Sequence, residues 1–262
     1  MVFWSTLLVA VIAVAVFFNV LFVVALRLRD NSIVDVGWGV GFILVALSTL
    51  AYSSTAEPRQ LLVVALVLAW GLRLAIRIYL RNRGKGEDFR YKKWREDWGD
   101  RWRSNAYLRV FVTQGVWMLL VTIPITFVNA YPGPALGWLD ALGVAVWLVG
   151  FYFEAMGDWQ LDRFLKNKPP RGSVLDSGLW RYTRHPNYFG EVTQWWGVYI
   201  IALSVPLGWA TIIGPLAITA TIVGYSGIPL LEKTMMKNPA YVEYAARTSV
   251  FFPAPPRARR AA

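Results

Sequence analysis

The sequence has no cysteine and a single histidine, His185, among its 262 residues. Without thiols there is no disulfide framework, no thiolate nucleophile and no cysteine-ligated metal, and one imidazole argues against a histidine-rich metal centre. Charge is scarce as well: 16% of residues are Asp, Glu, Lys or Arg, against about 25% in a soluble domain. No GxGxxG follows a strand-like run, which excludes a Rossmann dinucleotide site as far as sequence can. His185-Pro186 has no GxSxG partner for an acyl-transfer triad. No internal repeat stands out. What remains is apolar, with 56% of residues hydrophobic.

Several apolar runs approach or exceed the ~20 residues that cross a ~30 Å hydrocarbon core. The chain therefore reads as an all-α, polytopic membrane domain over 1–262, with seven spans near 2–26, 33–52, 61–78, 108–128, 138–156, 189–203 and 209–231. The first run lacks a basic leader and a small-residue cleavage site, so it reads as a retained helix. Pro124 is an expected kink. Lys and Arg gather after spans one, three, five and seven. From Arg73 to Arg109 there are twelve of them against five Asp and Glu. Positive-inside then places the N-terminus outside and the C-terminus in the cytoplasm. The formal net charge of +11 thus sits in loops, where it meets anionic lipid or a phosphorylated cofactor rather than nucleic acid. Trp94, Trp98 and Trp102 recur every four residues, the pattern of an interfacial amphipathic helix. The basic piece 247–262 reads as a flexible tail.

Polar chemistry is concentrated in a few places. Gly178 to Gln194, GLWRYTRHPNYFGEVTQ, carries two arginines, the histidine, an asparagine and a glutamate at the mouth of the sixth span. Such groups are either a functional site or an interfacial anchor. Asn187 and Glu191 lie one helical turn apart, as do Glu154 and Asp158, so each pair shares a helix face. Asp35 opens the second span, as a first-turn carboxylate favoured by the helix dipole or as an acid facing the bundle interior. Gly37, Gly39 and Gly41 permit close approach of another helix or a ligand. Arginines suit phosphates through bidentate bonds, and carboxylates suit ribose hydroxyls or a carboxamide. A dinucleotide needs both.

The run Gly178-Leu179-Trp180-Arg181-Tyr182-Thr183-Arg184-His185-Pro186-Asn187-Tyr188-Phe189-Gly190-Glu191 resembles the C-terminal signature of the steroid 5α-reductase superfamily. The chain is most similar to its bacterial branch of membrane proteins, the DUF1295 family. Ser32 to Gly39, Arg81 to Tyr91 and Tyr244 to Ser249 carry the same resemblance, which covers most of the chain and is strongest from Tyr152 onward. Sterol reductases and isoprenylcysteine carboxyl methyltransferases share a similar Arg-His-Pro-x-Tyr run. The resemblance implies a seven-helix fold in a bacterial inner membrane, with NADPH beneath the cytoplasmic loops. It puts Asp158, Asn187 and Glu191 at cofactor-contacting positions, with Glu154 where the family has an asparagine. The run's Arg184, His185 and Tyr188 join that set, and Arg83 and Lys85 match basic residues near the cofactor phosphates. The steroid enzymes grip a substrate carbonyl with a Gln-Glu pair in the second helix and a tyrosine in the third. Here those places hold Asp35 and Trp70-Gly71.

The reading that follows is an NADPH-dependent reductase of an activated C=C bond in a lipophilic, possibly steroid-like substrate, acting as a monomer among membrane lipid. Developing enolate charge needs a positioned acid in a dry pocket. Asp35 serves if burial keeps it protonated, and Tyr91 and Tyr107 are further candidates. Two alternatives remain: a methyltransferase using S-adenosylmethionine on a lipid or prenyl-cysteine carboxylate, and a lipid-binding protein without enzymatic activity.

Overall fold

The computed structural model describes residues 1–257, which form helices and loops; the only β feature among them is an isolated parallel bridge between Thr183 and Ser249. Five helices are long and apolar enough to cross a membrane, or six if one bent pair counts as a single span. The expected sixth span corresponds to a helix of 17 residues, Pro186–Ala202. The chain divides into two compact units, Met1–Asp140 with Ile201–Gly214, and Ala141–Ile200 with the chain from Pro215 on.

The first unit contains α1 (Val2–Leu28), α2 (Ile33–Ser53) and α3 (Pro58–Asn82), then α4 (Phe89–Trp98), α5 (Trp102–Ala106), α6 (Thr113–Val121) and α7 (Ile123–Ala130). The glycines of α2 let neighbours approach. A Cβ on Gly39 would lie 2.4 Å from the carbonyl oxygen of Gly71 on α3, so the two backbones touch there. A Cβ on Gly37 would strike Leu21 of α1, and one on Gly41 would strike Met118 of α6. Small residues do this wherever membrane helices must pack closely without a hydrophobic driving force between them. Pro124 sits in the first turn of α7, and the helices before and after the break are bent by 50°. The ring cannot continue the preceding helix because it lacks an N–H donor and clashes with the turn before it.

In the second unit, α8 (Trp138–Lys166) from Ala141 onward packs along α9 (Pro186–Ala202). Gly143, Gly150 and Gly157 of α8 repeat every seven residues, and so do Gly190 and Gly197 of α9. A Cβ on Gly190 would lie 2.5 Å from the Gly150 oxygen, and one on Gly197 would lie 2.7 Å from the Gly143 oxygen. A seven-residue repeat keeps one stripe of a helix turned toward a nearly aligned partner, which is why the glycines meet in register. After α10 (Ile213–Thr219), which straddles the unit boundary, come α11 (Ile228–Met235) and α12 (Pro239–Arg247).

The stretch after α12 departs from the expected flexible tail. The Arg184 N–H donates to the Ser249 carbonyl at 2.9 Å, and the Ala254 N–H donates to the Tyr182 carbonyl at 3.0 Å. Residues 248–254 lie along the signature loop because that loop is irregular and its backbone groups need partners. Residues 258–262 fall outside the described part of the chain.

Candidate functional site

Chemistry-bearing side chains gather in three places, two in the second unit and one in the first. The signature loop is the first. Gly178 has φ 62°, and the Gln160 side chain fills the space its Cβ would need. The Gln160 Oε1 accepts from the Leu179 N–H at 2.9 Å, and the Trp180 indole donates to the Gly157 carbonyl at 3.0 Å. Thr183 donates its hydroxyl to the Phe251 carbonyl at 2.8 Å. Held this way, the loop presents Arg184 and His185 to Glu232 of α11. The His185 Nε2 is 2.8 Å from the Glu232 carboxylate, Tyr241 donates its hydroxyl to the same oxygen at 2.7 Å, and the Arg184 Nε lies 3.3 Å away. The imidazole is buried and Tyr188 stacks on it, 5.6 Å between ring centres. Burial pulls the His185 pKa below its ordinary value against the opposing pull of Glu232, and burial with Glu232 pushes the Tyr241 hydroxyl up. Both groups therefore stay neutral donors to Glu232 near pH 7. His185 thus holds the loop to α11 and α12.

The lowered His185 pKa sets a pH dependence. The unfolded imidazole titrates at about 6.5 and the folded one below it, so the unfolded chain binds more protons between those values. Stability is then full above that window and falls as the pH drops through 6.5, by at most about 1.4 kcal/mol per unit. Melting in detergent at pH 7.5 and 5.5 should show this loss. The His185→Gln variant, whose amide still donates to Glu232, should show a smaller one; an identical acid shift in both proteins would assign the effect elsewhere.

The second cluster lies where α8 meets the start of α9. Glu154 and Asp158 are buried on α8, and Gln194 of α9 donates its amide to the Glu154 carboxylate at 2.5 Å. A Cβ on Gly157 would contact the Asn187 backbone nitrogen at 3.2 Å, so the first turn of α9 faces this part of α8. Asn187 and Glu191 are half-buried on that helix.

The third cluster is in the first unit. Tyr91 of α4 donates its hydroxyl to an Asp35 oxygen at 2.5 Å, and Arg90 reaches the other oxygen at 3.1 Å. The Gln114 side chain also meets the Tyr91 hydroxyl. Asp35, expected as the acid of the site, is the acceptor in both contacts. Tyr107 is not part of this group. It projects toward α1, where its hydroxyl donates to Asn19 at 3.1 Å and its ring packs on Phe22. Arg83 and Lys85 are exposed on the turn after α3, a turn made possible by positive φ at Gly84 and Gly86.

Sequence reasoning missed Glu232, Tyr241 and Gln194. Gln194 had a signal, since Asn187, Glu191 and Gln194 fall at i, i+4 and i+7 inside an otherwise apolar helix. Glu232 had none beyond being a carboxylate at the end of an apolar run.

A model of the family described as "Protein of unknown function (DUF1295)" matches residues 21–248. An uncharacterised protein of Schizosaccharomyces pombe is 27% identical over 270 residues, covering 90% of this chain and 76% of that one. A 3-oxo-5-alpha-steroid 4-dehydrogenase 1 of Bos taurus is 31% identical over 88 residues, 32% of this chain and 34% of the bovine protein. No solved structure matches. The bovine match supports the superfamily resemblance, and with the family model spanning most of its length, the chain belongs to the DUF1295 family.

Proposed function

We propose that the protein is a membrane-embedded, NADPH-dependent reductase of an activated C=C bond in a lipophilic carbonyl compound. The observation that carries this reading is the Tyr91 hydroxyl, bonded to Asp35 with Arg90 on the far carboxylate oxygen. Reducing an enone leaves charge on the carbonyl oxygen, and a fixed O–H donor beside a cation is what stabilises an enolate. The bovine relative's name, that of an enzyme acting on a 3-oxo steroid, supports the same class of substrate.

The residues fit the cofactor in two respects. The Gln194 Oε1 is buried with no hydrogen-bond partner, and a buried acceptor of that kind calls for a donor such as an amide or a hydroxyl. Arg83 and Lys85 are exposed cations of the type that takes phosphate. Asn187 and Glu191 would hold a carboxamide or ribose edge, since asparagine offers donor and acceptor while an ionised carboxylate accepts only. When bound, NADPH supplies the hydride. In that step the Tyr91 hydroxyl would turn from Asp35 onto the developing oxygen charge, while Arg90 stays with the Asp35 carboxylate it leaves. Positive-inside loop charge supports a cytoplasmic cofactor side.

Ligand-dependent melting of the detergent-solubilised protein tests the reading. NADPH should raise the melting temperature more than NADH does, and added salt should shrink that difference because exposed charges are screened. Asn187→Ala and Glu191→Gln, each compared with its own ligand-free melting, should lose about 1.5–3 kcal/mol of NADPH binding, the scale of a hydrogen bond to a charged group. Full NADPH stabilisation in both variants would remove the pair from the site. Stabilisation by S-adenosylmethionine and not by NADPH would replace reduction with methyl transfer.

A further inference from the structure

Beside the charged end of α1, a cavity of about 530 Å³ is lined by Leu26, Arg29, Arg95, Trp102 and Arg103. All five residues belong to the first unit, and the reductase reading uses none of them. Arg95 is held firmly. Its guanidinium donates to Glu87 at 2.7 Å and to the Arg29 carbonyl at 2.9 Å, and it lies 4.4 Å over the Trp102 ring. The Arg95 Nε is buried with no hydrogen-bond partner. Arg103 lies 5.5 Å from the same ring. Glu87 offsets one of the three cations; Arg29 and Arg103 form no ion pair among the described residues. The wall therefore carries an excess of two positive charges.

We propose that this cavity binds the phosphate of an anionic phospholipid headgroup. The charge excess and the guanidinium donors select a phosphate. The surroundings select a lipid as its source. Leu26 brings apolar surface to the cavity, and Val23, one turn before it on α1, is exposed as well. Acyl chains lying on that face would deliver the headgroup to Arg29. Trp102, with the stacked pair Trp94 and Trp98 in the same segment, belongs at the headgroup depth where tryptophan collects in membrane proteins. Basic pockets at the charged ends of membrane helices bind anionic headgroups on the same physical grounds.

The test is melting of the purified full chain in neutral detergent, with added phosphatidylglycerol, phosphatidylcholine, inorganic phosphate or NADPH in separate arms. Phosphatidylglycerol should raise the melting temperature by several degrees and phosphatidylcholine should not. In a double variant, Arg29→Gln with Arg103→Gln, the phosphatidylglycerol shift should vanish while the lipid-free melting temperature and the NADPH response stay as in the parent. Glutamine keeps an unbranched side chain at Arg29, whose φ is 54°, so the substitution adds little backbone strain. An unchanged phosphatidylglycerol shift in the double variant overturns the site. Equal shifts from the two lipids remove the selectivity for charge, and an equal shift from inorganic phosphate removes the lipid. Loss of the NADPH response alone would assign the arginines to the cofactor and overturn the proposal.

Discussion

Tyr91→Phe is expected to lower turnover of an enone substrate by about 10²–10⁴-fold, the usual contribution of a positioned general acid, with a smaller change in KM. The substitution removes one oxygen. The ring keeps its edge contact with Trp94, 5.4 Å between centres, and Asp35 keeps Arg90 at 3.1 Å. Melting should therefore move little, and that separates a chemical role from a structural one. Asp35→Asn should also lose turnover, because the neutral amide holds the hydroxyl and Arg90 more weakly than a carboxylate does. Tyr107→Phe serves as the control: its hydroxyl reaches only Asn19 at an exposed position, and turnover should stay within about threefold, in line with the absence of any acid–base role. The assay follows NADPH consumption against a panel of lipophilic enones. A Tyr91→Phe protein that turns over a responsive substrate as fast as the parent would end the assignment.

The helical architecture was legible because apolar length is a coarse signal that every residue of a span reinforces. The glycines of α2 were legible as a packing face, and the structure brings each of them to a neighbour. Pro124 was legible for the same local reason, one residue with one fixed φ. Pairing partners were not. Arg184 and His185 take Glu232, 47 positions beyond the histidine, and nothing in the sequence ranks that carboxylate above Glu191, which is nearer in the chain. Asp35 and Tyr91 were each named as candidates on separate grounds, but their bond spans 56 positions and depends on how the turn after α3 folds back. The stretch after α12 was misread because composition reports solubility and says nothing of backbone partners. Its proline- and arginine-rich sequence looks disordered, while the irregular signature loop leaves N–H and carbonyl groups that residues 248–254 satisfy.

The same blindness to pairing hid a heavily bonded, buried ion pair in the first unit, and its removal should have a large effect on stability. Arg59, at the start of α3, and Asp140, in the first turn of α8, are 2% and 3% exposed. The Nε and Nη2 atoms of Arg59 each lie 2.8 Å from an Asp140 oxygen. The remaining donors go to the carbonyls of Pro132, Pro134 and Ala135, and Asp140 also accepts from the Gly137 N–H. One guanidinium thus fastens the short connection between α7 and α8 to the start of α3. Arg59→Ala should cost about 3–5 kcal/mol, because it leaves a buried carboxylate unpaired. Arg59→Lys should fall between, since a single ammonium cannot reproduce the planar fork. Replacing both partners, Arg59→Met with Asp140→Leu, removes the buried charge altogether and should recover part of the loss. It should not reach the parent, because the three carbonyls still lack donors at a cost of about 1–3 kcal/mol for each one that water does not reach. Unfolding of the detergent-solubilised proteins by heat or by denaturing detergent gives the order. A double variant less stable than Arg59→Ala would show that the unpaired carboxylate is the smaller part of the penalty, and an Arg59→Ala protein as stable as the parent would show that water already compensates the pair.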